Sequence, residues 1–291
     1  MLLATLIAAG ALSPGDVAAA SDALRGAGGE PGAAAWLDAG DACDLTVAGL
    51  DQPVARAAVE AALTAVDIVV QPVAASRRKR LLIADMDSTM IQCECIDELA
   101  DYAGLKPQVA AITEAAMRGE LDFAAALDAR VALLKGMDAR VIDRCRAERV
   151  RLMPGAKLLV ATMARSGART ILVSGGFTAF AGPVGAELGF DRIVANRLLV
   201  EDGKLTGTVS RPIIDAATKR FELDGAGVPL EATIAVGDGA NDIPMLERAG
   251  LGIAYHAKPK ATAAADAAIR IGDLTALLWA QGYKRGEWVS Q

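Results

Sequence analysis

Apolar residues fall along this chain in two kinds of block, and their order suggests two parts. Residues 1 to about 76 run through LLATLIAA, PGDVAAASDALRGA, AAAWLDA, CDLTVAGL, PVARAAVEAALTAV and DIVVQPV. The first, third, fourth and last are apolar runs of strand length. The second and fifth repeat apolar positions at helical spacing, and a Gly-Gly pair stops the first of them. The order β-α-β-β-α-β predicts a small ferredoxin-like α+β unit, the order also found in ACT-type domains. A regulatory or dimerising role suits such a unit, and so does a purely structural one.

The second part, residues 77–291, repeats another plan. LLIADMDS, TILVSGG and TIAVGDGAND are each an apolar run ending in small polar or acidic residues. Segments periodic in Ala, Leu and charge lie between them and predict helices. This alternation predicts an α/β fold with a Rossmann-like, doubly wound parallel sheet. Ligands bind such sheets beyond the carboxyl ends of the strands, where all three polar clusters fall. The stretch from IDELADYAG to DRCRAERV is helical almost throughout. It is too long for a simple crossover and predicts a helical cap inserted at about 92–150, able to exclude water and select substrate. Between the two parts, Ser76-Arg77-Arg78-Lys79-Arg80 reads as a solvated linker.

Composition narrows the function classes. Of 291 residues, 53% are hydrophobic and 23% charged, which suits a globular protein and not a disordered one. The net charge of −6 argues against nonspecific nucleic-acid or anionic-membrane binding, but not against an anionic substrate. No apolar run approaches the roughly 20 residues that span a bilayer. No Lys or Arg precedes Arg25, so MLLATLIAAGAL reads as a buried strand and not as a signal peptide. Four cysteines in a chain this long are not a disulfide framework, which points to a reducing cytoplasm. Cys93 and Cys95 flank Glu94 but have no other soft ligands nearby, so they read as small packed residues. The single histidine, His256, argues against Ser-His-Asp chemistry and against a His-rich zinc site.

The chemistry-bearing residues are ambiguous one by one. Asp85 and Asp87 stand two apart at a strand end, which is costly unless a cation, most simply Mg²⁺, neutralises them. Taken alone, Asp-x-Asp favours the plainer reading of two solvated aspartates in a turn. Gly237-Asp238-Gly239-Ala240-Asn241-Asp242 is a turn with an N-cap, or a second acidic strand end. It is not G-x-G-x-x-G, because Asp242 occupies the last position, and no G-x-x-x-x-G-K-[ST] loop is present. Ser174-Gly175-Gly176 offers a hydroxyl and backbone N–H groups to a phosphate, yet is also common turn chemistry. Lys219 alone reads as a surface charge.

Their combination is specific. D-M-D-S-T, then S-G-G, then a lysine, then G-D-G-A-N-D, in this order, resembles the four motifs of the haloacid dehalogenase-like phosphatases. The stretch Met90-Ile91-Gln92-Cys93-Glu94, the cap segment DFAAALDARVALLKG, and VSGGF, ANRL, DGKLTG and VGDGANDIPML narrow the likeness. They point to the bacterial phosphoserine phosphatases of the SerB type, over about residues 80 to 285. The resemblance implies hydrolysis of O-phospho-L-serine to L-serine and phosphate through an aspartyl-phosphate, the last step of L-serine biosynthesis. It implies Asp85 as nucleophile and Asp87 as general acid and base. It implies Mg²⁺ held by Asp85, the main-chain carbonyl of Asp87 and Asp238, with Asp242 orienting the metal shell or Lys219. Ser174, Gly175 and Lys219 would bind the phosphoryl oxygens, and Asn241 the phosphate or substrate. In the cap, Glu94 would pair with the substrate ammonium and Arg130 with its carboxylate, with Phe123 and Met117 as further contacts. Phe123 and Arg130 are two helical turns apart and share a face with Leu127 and Leu134. The expected partner is this small molecule, with neither nucleic acid nor membrane; a homodimer is compatible.

Overall fold

The computed structural model describes residues 1–73, 76–117 and 120–289. The first part forms β1 (Leu2–Ile7), α1 (Pro14–Gly26), β2 (Glu30–Asp38), β3 (Ala42–Ala48), α2 (Gln52–Ala62) and β4 (Asp67–Pro72). α1 starts where the Ser13 hydroxyl accepts from the Asp16 amide and Asp16 accepts from the Ser13 amide, with Pro14 at the first helical position. The strands are antiparallel in the order β2-β3-β1-β4, the ferredoxin-like arrangement read from the pattern. β2 is the outer edge; it is largely exposed, carries Pro31 and slips register twice, features that blunt an unpaired edge.

The second part opens with β5 (Leu81–Ala84). Four helices follow in the stretch expected to form the cap: α3 (Cys95–Tyr102), α4 (Lys106–Met117), α5 (Phe123–Ala132) and α6 (Arg140–Arg149). The chain returns through α7 (Ala156–Arg165), β6 (Arg169–Phe177), α8 (Thr178–Leu188) and β7 (Arg192–Asn196). A hairpin, β8 (Leu198–Glu201) and β9 (Lys204–Val209), precedes α9 (Ala216–Asp224) and β10 (Thr233–Gly237). The chain ends with α10 (Ile243–Leu246), β11 (Gly252–Tyr255), α11 (Pro259–Ala264), β12 (Ala267–Ile269) and α12 (Ala276–Ala280).

Strands β12-β11-β10-β5-β6-β7 are all parallel. β5 is central: the chain winds outward to β6 and β7, then crosses to β10 on the other side. The crevice at this reversal lies beyond the ends of β5, β6 and β10. Their side chains are buried on both faces, which is why LLIA, TILV and TIAV are unbroken apolar runs. The hairpin β8–β9 was not evident in the sequence. It extends toward the cap, where Gly136 and Leu205, Leu205 and Met137, and Ala139 and Gly203 pair by backbone hydrogen bonds of 2.8–2.9 Å.

The two parts are joined more closely than a linker implies. β4 pairs antiparallel with β12 through Ile68 and Ala268, so ten strands form one sheet. The basic stretch expected to be solvated is so only in part: Arg78 and Arg80 are exposed, but Arg77 is half-buried and Lys79 is buried. Arg77 binds Asp44 through two nitrogens at 2.7 and 2.8 Å and also donates to the carbonyl oxygens of Trp279 and Ala280. Lys79 is buried, and its Nζ donates to the Glu231 carbonyl at 2.8 Å. The C-terminal segment folds back against this face: Trp279 Nε1 donates to Asp38 at 2.7 Å, and Ile7, Ala42 and Val69 share a core with Leu278, Trp279 and Trp288. The solvated reading fails for Arg77 and Lys79 because Asp44 and carbonyl groups more than 150 residues away in sequence satisfy these two cations. Among the described residues, no helix is long and apolar enough to cross a membrane.

Candidate active site

Asp85 leaves the end of β5, its amide bonded to the Val236 carbonyl of β10 at 3.0 Å. The chain then turns sharply: the amides of Met90 and Ile91 both return to the Met86 carbonyl. Ser88 takes a left-handed conformation, φ 54°, uncommon for a residue other than glycine. Its amide donates to the Cys93 carbonyl at 3.2 Å and its hydroxyl to Glu94 Oε1 at 2.8 Å. The loop thereby sets Glu94, the residue that starts α3, beside the carboxylates.

Lys219 comes from α9, whose start is capped by Asp215 and Thr218. Its side chain is fully buried, with Nζ 2.6 Å from Asp85 Oδ1 and 2.6 Å from Asp242 Oδ1. The surface-charge reading is thus excluded. Burial disfavours the ammonium, but the two carboxylates more than offset it and raise the pKa of Lys219. The other oxygen of Asp242 accepts the amides of Asp238 (3.1 Å) and Gly239 (2.9 Å). Gly237 must be glycine here, because a Cβ would sit 2.4 Å from Asp242 Cγ.

Asp87 Oδ1 accepts the Cys95 amide at 3.0 Å, and Ser174 Oγ stands 3.4 Å from its Oδ2. Ser174 Oγ accepts the Gly176 amide at 2.9 Å. A Cβ on Gly176 would approach Asp87 Oδ2 to 2.6 Å, so this glycine admits the carboxylate. Burial, reinforced by Glu94 and opposed by the Cys95 bonds, pushes Asp87 up to about 7. Burial also raises Asp85, with Asp242 adding to it and Lys219 opposing. Asp238 rises to about 6, chiefly by burial, with Lys258 opposing.

Asp85, Asp238 and Asp242 offer carboxylate oxygens all within 4.8 Å of one another, and all three are buried. Such a donor set suits a hard divalent cation. Asp242 is already held by Lys219 and two amides. Among the described residues, Asp85 Oδ2 accepts no hydrogen bond, which leaves Asp85 and Asp238 with oxygens to offer.

The cap residues stand around this cluster. Arg130 is half-buried in α5, and its Nε donates to the Ala126 carbonyl at 3.2 Å. Among the described residues it forms no ion pair, leaving its terminal nitrogens available. Phe123 lies over the glycine loop: a Cβ on Gly175 would come within 3.0 Å of its ring. Leu127 and Leu134, on the same face in the pattern, are buried in the core. Asn241 folds back toward Gly239, whose Cβ would meet Asn241 Oδ1 at 2.5 Å. Met117 ends α4, and its side chain lies outside those described. Two neighbours were not anticipated. Ser88 holds Glu94, a signal present in D-M-D-S-T but not weighed. Lys258, from the loop after β11, places Nζ 3.6 Å from Asp238 Oδ2, and nothing local in AYHAKP indicates it.

Comparison with known proteins bears on this cluster. The model of the family described as haloacid dehalogenase-like hydrolase matches residues 82–247. A phosphoserine phosphatase of Streptomyces coelicolor is 47% identical over 84% of this chain and 62% of its own length. One of Polaromonas is 49% identical over 68% of this chain and 88% of its own. The crystal structure of a probable phosphoserine phosphatase from Vibrio cholerae superposes with a TM-score of 0.78 at 33% identity, covering 98% of this chain and 88% of that one. The chain spans 55–64% of the length of several curated relatives.

Proposed function

Because the chain belongs to the haloacid dehalogenase-like hydrolases, we propose that it is a phosphoserine phosphatase, hydrolysing O-phospho-L-serine to L-serine and phosphate. The observation that carries this reading is the buried lysine between two carboxylates: Lys219 holds one oxygen of Asp85, and the other accepts no hydrogen bond among the described residues. That arrangement suits a carboxylate nucleophile attacking phosphorus.

In the first half-reaction, a carboxylate oxygen of Asp85 forms a bond to phosphorus as the bond to the serine oxygen breaks. The proton on Asp87, whose raised pKa keeps it available near neutrality, passes to the departing oxygen. In the second, Asp87 takes a proton from water as the water oxygen attacks phosphorus. The Asp85–phosphoryl bond breaks and phosphate leaves. Ser174, the Gly175 amide and Lys219 bind the phosphoryl oxygens, and Asn241 lies alongside. Asp85, Asp238 and the Asp87 main-chain carbonyl would hold Mg²⁺, with Asp242 keeping Lys219 and the Asp238 amide in place. Bound there, Mg²⁺ supplies positive charge between the nucleophile and the phosphate.

For the rest of the substrate, Glu94 meets the ammonium and Arg130 grips the carboxylate, with Phe123 and, by the family resemblance, Met117 as further contacts. The division into residues 1–76 and 77–291, with a cap at about 92–150, belongs to the same reading. So does a regulatory or dimerising role for the first part. The enzyme would act in the cytoplasm, in L-serine biosynthesis, without nucleic-acid or membrane partners. The test is phosphate release from L-phosphoserine with Mg²⁺ and with chelator, beside phosphothreonine, phosphohomoserine and phosphoethanolamine. L-Phosphoserine should have the highest kcat/KM, and chelation should abolish it. Preference for another ester would overturn the substrate assignment.

A further inference from the structure

ANRL is a sequence feature that the chemistry above leaves without a role, and its asparagine is buried at the rim of the phosphate loop. Asn196, 1% exposed, ends β7 next to β6. The ladder between these strands pairs Ser174 with Ala195 and then Phe177 with Asn196. Two residues of β6, Gly175 and Gly176, therefore have no counterpart on β7. Such a bulge frees peptide groups from the ladder and bends the strand. Here it throws the glycine loop forward over Asp87.

A freed, buried carbonyl must find another partner. Asn196 Nδ2 donates to the Gly175 carbonyl at 2.8 Å. The same amide reaches Ile214: Nδ2 donates to its carbonyl at 3.2 Å, and Oδ1 accepts its N–H at 2.8 Å. Ile214 immediately precedes Asp215, the cap of the helix that carries Lys219. Only a carboxamide supplies two donor hydrogens and an acceptor in this arrangement. One side chain thus ties the 175–176 peptide to the start of α9, two segments that share no ladder.

We propose that Asn196 is a positioning residue for phosphoryl binding, setting the glycine loop and the Lys219 helix at a fixed separation. The proposal rests on the phosphate-ester reading of this site but not on the identity of the ester. Asn196→Asp keeps the shape and the acceptor, but turns both donor contacts into oxygen facing carbonyl oxygen. A displacement of about 1 Å at a reacting centre costs on the order of 100-fold, so a loss of roughly 10- to 100-fold in kcat is expected.

The experiment measures p-nitrophenyl phosphate and L-phosphoserine hydrolysis by the full chain, with inhibition by inorganic phosphate and the melting temperature. For Asn196→Asp, kcat should fall with both esters, and the inhibition constant of inorganic phosphate should rise at least several-fold. A folded variant whose kcat and phosphate inhibition both stay within twofold of the parent, with only a lower melting temperature, overturns the proposal. If the aspartate variant does not fold, Asn196→Ser, which keeps one donor, is read by the same two ratios. A parent enzyme that hydrolyses p-nitrophenyl phosphate but not L-phosphoserine would sink the substrate reading and leave the Asn196 comparison intact.

Discussion

Lys219 and Asp85 lie 134 residues apart in sequence, yet their charged atoms are 2.6 Å apart in a site closed to solvent. Asp242 completes the triplet at the same distance. Replacing Lys219 with Met removes the cation that bridges two buried carboxylates. Losing one partner of a buried ion pair costs about 3–5 kcal/mol. The variant should melt well below the parent at pH 8 and recover part of the difference at pH 5, where protons replace the lost charge. Equal melting temperatures at pH 8 would contradict this.

Asp85→Asn keeps an oxygen for Lys219 but lacks the carboxylate nucleophile. It should fold, with a circular dichroism spectrum like that of the parent. Phosphate release should fall to background, and acid quenching during turnover should trap no phosphoenzyme. Residual turnover within tenfold of the parent would remove Asp85 from the nucleophile role.

In the proposed mechanism Asp87, pushed up to about 7, acts protonated in the first half-reaction and ionised in the second. Formation of the phosphoenzyme should weaken as pH rises past about 7, and its hydrolysis should weaken as pH falls below it. Rapid-quench experiments separate the two limbs. Because Glu94 helps hold the Asp87 value up, Glu94→Gln should move both limbs to lower pH. Limbs that stay in place would show that another group governs them.

Asp87 and Asp238 titrate at about 7 and about 6 in the folded chain, against an ordinary value of 3.8. The folded state therefore binds protons more tightly than the unfolded one. The stabilisation this brings is complete below about 3.8 and is lost as pH rises through 6 to 7. With chelator present, the melting temperature should fall across that window. Mg²⁺ should raise it more at pH 8 than at pH 5, because cation and proton compete for the same carboxylates. A larger Mg²⁺ effect at pH 5 would contradict the assignment.

Arg130 has terminal nitrogens not engaged by any described residue. A charge-assisted hydrogen bond is worth roughly 1.5–3 kcal/mol, about 10- to 150-fold in kcat/KM. Arg130→Ala should cost L-phosphoserine that much and phosphoethanolamine, which has no carboxylate, less than threefold. Equal losses with the two esters would show that Arg130 acts through the fold of α5 and not through the substrate carboxylate.

Much of this molecule is legible from local sequence. The apolar runs LLIA, TILV and TIAV are strands because both of their faces are buried, and the residues after them must lie at one sheet edge. That places Asp85, Ser174 and Asp238 together before any contact is known. The β-α-β-β-α-β order of the first part is readable for the same reason: strand and helix periods are properties of short windows. Tertiary structure decided what no window contains. β8 is short and mostly exposed, and although β9 alternates over its six residues, the place of the hairpin is set by docking on the cap. Arg77 looks solvated in a run of basic residues, and only the returning C-terminal segment and Asp44 make it a half-buried joint. Lys219 looks like any surface lysine until α9 carries it between Asp85 and Asp242. Asn196 gains its partners only because a bulge in the neighbouring strand leaves a carbonyl unpaired. The physical division is between period, which each segment carries within itself, and charge compensation and hydrogen-bond satisfaction, which depend on residues brought together from distant parts of the chain.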